Sequence, residues 1–255
     1  MNTSIIKFIA TSSVIATLSF IAQADVVDEI EKTFDVDAQT SFRLDNVNGL
    51  VAITAWDKSS IKVIATIRAE NQEDLDNMLI DMQQSSDEVN VKTRYKKENK
   101  WRKNSHSGKV EYAVVVPKNI NLLSIELING SLTIDKVEGV VKAELVNGSI
   151  KAHGLASNGD FRSVNGSIKI SYSELIESLD KINVETVNGS IKVSVPKSLN
   201  ATVEADTMHG SIKTDFGLVA EKNLFSGRHL QGEVGRGDVN ITMKSVNGSI
   251  KLLKH

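Results

Sequence analysis

The sequence predicts an all-β fold, a single-domain β-solenoid, and three observations predict it. A five-residue block, Val-Asn-Gly-Ser-Ile, returns along the second half of the chain. Apolar residues flank each copy with the period of two that marks a strand. The same residue type occupies the same turn position copy after copy, which stacked coils require and separate hairpins do not.

The chain opens with an export-type segment. Lys7 supplies the positive start, the run FIATSSVIATLSFIA from Phe8 to Ala22 is uncharged, and Ala22-Gln23-Ala24 fits a small-x-small cleavage site. Residues 1–24 therefore read as a signal peptide, with the mature chain starting at Asp25. The run is short for a membrane anchor, no basic stop-transfer cluster follows it, and no later segment is apolar enough to cross, so the mature chain is expected to lack a membrane span. The address expected is the periplasm, with the cell surface or secretion as the other outcomes.

Residues 25–120 read as strands, a helix and a basic hairpin loop that cap the solenoid. Ser41–Val47, Val51–Trp56 and Ile61–Arg68 are predicted strands. Asn71 caps a predicted helix reaching about Gln84. Leu75, Met78, Leu79 and Met82 make its apolar face, suited to covering a sheet or an open solenoid end. Two more strands, Val89–Tyr95 and Val110–Val116, flank a basic stretch that includes Lys97, Trp101 and Arg102. This stretch is either a solvated tip or a patch for anionic polymers with Trp101 as its anchor.

Residues 121–255 carry the repeats. Their turn pairs are Asn129-Gly130, Asn147-Gly148, Asn165-Gly166, Asn188-Gly189 and Asn247-Gly248, with His209-Gly210 a variant and Asn48-Gly49 an early relative. Positions two after the glycine are apolar (Leu132, Ile150, Ile168, Ile191, Ile212, Ile250). So are positions five and two before it, and those seven before it save Gly159. All are assigned to one continuous core. Asn and Gly tolerate positive φ, which is the expected reason for the turn. The asparagines are expected to form a hydrogen-bonded ladder that His209 interrupts. Successive glycines lie 18, 18, 23, 21 and 38 residues apart. The last interval is long enough for two coils, with Gly232 or Gly235 near the missing turn. A sustained six-residue period and GGxGxD motifs are both lacking, which argues against hexapeptide-helix acyltransferases and calcium-binding nonapeptide arrays.

The run from Tyr112 to Lys118 (YAVVVPK), the alternating strand after it, the serial VNGSI turns and Gly235-Arg236-Gly237 together resemble the bacterial putative-adhesin family of β-solenoid domains. The resemblance spans about residues 40 to 252. It implies a right-handed β-solenoid and says little about activity.

Chemistry leaves few traces. The chain has no cysteine, and its net charge is −2. Thiolate metal sites, disulfides and a cysteine nucleophile are thereby excluded, and no global field points to nucleic acid. No catalytic, phosphate-binding or dinucleotide motif is present, so no catalytic residue, metal or cofactor is expected. Arg236-Gly237-Asp238 matches an integrin-binding tripeptide and is read as a glycine-rich turn. Glu126, Glu144, Glu185 and Asp206 stand four before their glycines and predict an outward acidic column, the feature a carbohydrate-active β-helix enzyme would need. Three residues after the glycine stand Lys151, Lys169, Lys192, Lys213 and Lys251, a predicted outward lysine column. Either the acidic column neutralises these lysines across the turn, or they form a cationic strip. The function predicted is that of a non-enzymatic, exported envelope protein, adhesin-like, with a repetitive binding or scaffolding face. Its expected partner is an anionic envelope polymer or another envelope protein. The alternatives are the carbohydrate-active enzyme and a structural or stress-sensor accessory protein.

Overall fold

The computed structural model describes residues 25–96, 108–174, 178–222 and 227–255. The expected signal peptide and the candidate residues Lys97, Trp101 and Arg102 lie outside them.

The first part of the chain holds β1 (Val26–Asp35), β2 (Ser41–Asn48), β3 (Val51–Trp56), β4 (Ser60–Ala69), helix α1 (Gln72–Asn77), β5 (Met78–Gln84), β6 (Glu88–Tyr95) and β7 (Gly108–Pro117). The repeats begin with β8 (Asn121–Asn129), β9 (Leu132–Asp135), β10 (Val141–Asn147), β11 (Ile150–Leu155), β12 (Ser157–Asn165) and β13 (Ile168–Tyr172). They continue with β14 (Ser178–Asn188), β15 (Ile191–Val195), β16 (Ala201–His209) and β17 (Ile212–Thr214). The chain ends with β18 (Glu221–Lys222), β19 (Arg228–Val234), β20 (Val239–Asn247) and β21 (Ile250–Lys254).

These strands make two sheets, and each repeat crosses from one to the other at its Asn-Gly turn. The 10-stranded sheet runs β1-β4-β7-β3-β9-β11-β13-β15-β21-β17. The 11-stranded sheet runs β18-β19-β16-β20-β14-β12-β10-β8-β2-β6-β5. Coils stack in parallel, residue on equivalent residue: Glu126 on Glu144, Ile150 on Ile168, Asn165 on Asn188. This is the β-solenoid that the repeats predict. Both sheets pass residue 120 without a break, because β2–β3 pairs in parallel with β8–β9.

Between the sheets lies the apolar core. Its columns hold Leu132, Ile150, Ile168, Ile191 and Ile250 from one sheet, and Ile125, Ala143, Phe161, Val184 and Met243 from the other, all fully buried. In the first coil a register shift seats Leu122 opposite Val141 where Leu123 was expected. Gly159 breaks the apolar pattern for a steric reason. A Cβ there would lie 2.6 Å from the Tyr172 hydroxyl, which reaches across the core.

The repeat glycines are required by stacking more than by φ. A Cβ on Gly166 would sit 1.8 Å from the carbonyl oxygen of Gly148, and one on Gly189 2.0 Å from that of Gly166. Among the repeat glycines, positive φ occurs at Gly49 and Gly148 alone, and none of the turn asparagines has it. The expected explanation is thus replaced: backbones of adjacent coils approach too closely for any side chain. The turn itself continues the ladder, with the Gly148 amide donating to the Asn165 carbonyl at 2.9 Å and Gly166 to Asn188 at 3.0 Å.

Two further corrections concern order. Among the described residues the long last interval holds no extra coil of the repeat type; β18 and β19 pair antiparallel and close the end of the 11-stranded sheet. The C-terminal coil, β20–β21, inserts between β14–β15 and β16–β17. His209 consequently ends the asparagine ladder instead of interrupting it. At the opposite end the helix is shorter than its apolar pattern suggests. Asn71 does cap it, accepting from the Asp74 amide at 2.9 Å. From Met78 onward the chain is β5, antiparallel to β6. Met78, Ile80 and Met82 satisfy a period of two while Leu75, Met78, Leu79 and Met82 satisfy the helical one, and pairing along a sheet edge decides between them.

Candidate functional site

Stacking turns each repeat position into a column, so candidate sites are ridges and furrows along the rod. The asparagine column is a ladder on the ridge between the sheets. Asn129 donates to Asn48, Asn147 to Asn129 and Asn165 to Asn147, each at 2.9 Å; Asn188 donates to Asn165 and Asn247 to Asn188, each at 2.8 Å. Every Nδ2–Oδ1 bond runs to the neighbouring coil, which fixes register at an exposed place.

The lysine column lies on the outer face of the 10-stranded sheet. Register places Thr133, Lys151, Lys169, Lys192, Lys251 and Lys213 side by side, in that order. The lysines are exposed, with Lys192 half-buried. At one residue per strand, adjacent ammonium groups recur every ~4.8 Å. None of the five makes an ion pair with a described residue. On the turn side the column is flanked by serines, of which Ser211 and Ser249 bond to each other at 3.1 Å.

The acidic column does not neutralise these lysines. It lies on the other sheet, and its order is Lys92, Asp45, Glu126, Glu144, Arg162, Glu185, Lys244, Asp206. Cations are therefore interleaved with the four predicted carboxylates. Arg162 pairs with Glu144 at 3.4 Å, His229 with Asp206 at 2.7 Å, Lys244 with Glu204 at 3.5 Å and Lys92 with Asp45. The hydrogen bond to Asp206 raises the His229 pKa above its usual 6.5.

Beside this charged column runs a feature that the repeat pattern concealed. The residue two before each glycine was assigned to the core, but it points outward. Val187, Val146, Val164, Ile128 and Met208 are between 41% and 53% exposed, and Val47 and Val246 complete the line. Strand alternation was the available signal. Buried positions seven, five and three before the glycine put the even positions on the solvent face. The inward residues at the third position fasten neighbouring coils. Ser163 donates to the Gly148 carbonyl, Thr186 to Gly166, Ser245 to Gly189 and Thr207 to Gly248, at 2.8–3.2 Å. Between the charged and apolar columns lies an open furrow of about 850 Å³, running from Lys92 to Met208. The acidic column is thus one wall of a furrow.

A second concavity, about 890 Å³, opens at the far ends of the coils and includes His153, Glu174 and His255. Arg236 and Asp238 in the Arg-Gly-Asp turn are paired with each other at 2.9 Å. Among the described residues no cluster of three or more metal-capable side chains occurs, and no helix is long and apolar enough to cross a membrane.

Comparison with known proteins supplies one family. The profile described as Toastrack DUF4097 matches residues 72–253. No curated protein matches. The chain is similar to the solved structure of a putative cell adhesion protein from Clostridium sporogenes ATCC 15579, with 14% identity and a TM-score of 0.47, covering 90% of this chain and 100% of that one. It is also similar to a putative adhesin from Bacteroides fragilis NCTC 9343, with 12% identity and a TM-score of 0.42, covering 88% and 97%.

Proposed function

We propose, from the premise that the chain belongs to the Toastrack DUF4097 family, that it is a non-enzymatic, adhesin-like envelope protein whose lysine column binds an anionic envelope polymer. Export through residues 1–24, with a mature start at Asp25 and a periplasmic address, is part of this reading. One observation carries it. Five lysines stand in register on adjacent strands, and no described carboxylate pairs with any of them. Like charges at ~4.8 Å repel, so the unliganded column is unfavourable and a polyanion laid along the stack relieves it. A phosphorylated or acidic glycan supplies such charges in a line. The basic stretch containing Lys97, Trp101 and Arg102 is the second candidate for the same polymer.

Binding to an acidic glycan should weaken steeply with added salt, because a polyanion releases condensed counterions when the lysines neutralise it and added salt opposes that release. Changing Lys151, Lys169 and Lys192 together to Gln should lower affinity at low salt by about tenfold or more without lowering the unfolding midpoint, since it relieves the repulsion within the column. Equal binding by the triple variant would remove the column from consideration and leave the Trp101 stretch.

A further inference from the structure

The furrow on the 11-stranded sheet lies on the opposite side of the rod from the lysines, and it carries a line of exposed branched side chains. Contiguous apolar strips of this kind on a soluble surface mark contacts. We propose that a second copy of this chain covers the strip, packed face to face with its stack reversed.

Symmetry and charge choose this occupant. Two kinds of two-fold axis can bring the face onto itself. An axis along the stack lays each copy's charged column on the other's apolar strip, which buries charges against hydrocarbon at high cost. An axis along the strands keeps column on column and reverses the order of coils. Apolar residues then meet apolar residues, save Met208, which falls opposite Arg94, and charged residues meet charged ones.

With that axis between Glu144 and Arg162, the signs complement. Lys92 faces the second copy's Asp206, Asp45 faces its Lys244, and Glu144 faces its Arg162; Glu126 opposite Glu185 is the one like pair. In the adjoining column Val146 meets Val164 and Ile128 meets Val187. The same axis thus suits both columns. The strip is roughly 40 Å long at the interstrand spacing, and pairing it buries on the order of 1,000 Å² over both copies. That is the low end for a specific interface, so the dimer dissociates on dilution. Both lysine columns stay outward, on opposite sides of the pair, so a dimer offers two cationic strips to a polymer.

Sedimentation velocity of the purified protein across a concentration series tests this without reference to polymer binding. A monomer–dimer equilibrium is expected. Val164→Glu places a charge on the strip at an already exposed position and should leave only monomer, with the unfolding midpoint unchanged. Lys244→Glu should raise the dissociation constant about tenfold. Adding Asp45→Lys should restore it. Four strands separate these two residues within one chain, so the rescue has to act between copies. A monomer at every concentration, a dimer indifferent to Val164→Glu, or an absence of rescue would each overturn the proposal.

Discussion

At each repeat glycine a hydrogen atom occupies the space where any side chain would strike the next coil. Gly166 is the clearest case, since its Cβ would fall 1.8 Å from the Gly148 carbonyl oxygen. Alanine should therefore be harmful here, even though φ at Gly166 lies outside the left-handed range that would itself disfavour a side chain. Gly166→Ala is expected to lower stability by about 1–3 kcal/mol in denaturant unfolding, through overpacking. The neighbouring outward change Lys169→Ala should stay within about 0.5 kcal/mol. Equal stability of the two variants would contradict the close approach of coils. The position of these glycines was legible in the sequence, but the reason for them was not. Asn-Gly signals a turn on local grounds, whereas the colliding carbonyl belongs to a residue 18 positions away. Val164 carried the same ambiguity. Being apolar, it was assigned to the core, although alternation from Phe161 and Ser163 puts it outside.

Among the elements, the strands flanking the turns were readable because an alternating pattern and a turn signal agree. Met78–Gln84 reads as helix because Leu75, Met78, Leu79 and Met82 fall at i, i+3, i+4 and i+7, while Met78, Ile80 and Met82 in the same stretch also alternate as a strand does. The sheet edge beside β6 is a tertiary fact that settles the matter. The antiparallel cap β18–β19 went unread for a similar reason. It lacks the repeat signature, and its pairing with β16 is visible only in space. That cap carries a pH dependence. His229 on β19 bonds Asp206 on β16, and the bond raises the histidine pKa. Stabilisation by this pair is complete below the unfolded value near 6.5 and is lost as pH rises through the higher folded value. Amide exchange in β19 should accordingly speed up from mildly acidic to mildly alkaline pH, relative to β12. Asp206→Asn should abolish that difference. An unchanged difference in the variant would separate the pair from the cap's stability.

For the whole molecule, coil order and chain order part company at the end. The sequence reveals the coils but not their sequence of stacking, because identical turns fit one another equally well in any order. The structure seats the last coil inside the rod, with Lys251 between Lys192 and Lys213. Continuity of the lysine strip, of the asparagine ladder and of the apolar strip all follow from that insertion. The absence of cysteine gives a clean background for testing it. Neighbouring strands bring Cα atoms within the 4.4–6.8 Å that a disulfide spans, and next-nearest strands do not. Two variants, Lys192→Cys with Lys251→Cys and Lys192→Cys with Lys213→Cys, should be oxidised and compared by mass spectrometry of peptides. The 192–251 pair is expected to cross-link in the monomer and the 192–213 pair to stay reduced. Efficient 192–213 linkage with an unreacted 192–251 pair would contradict the inserted coil, and with it the order of every column described.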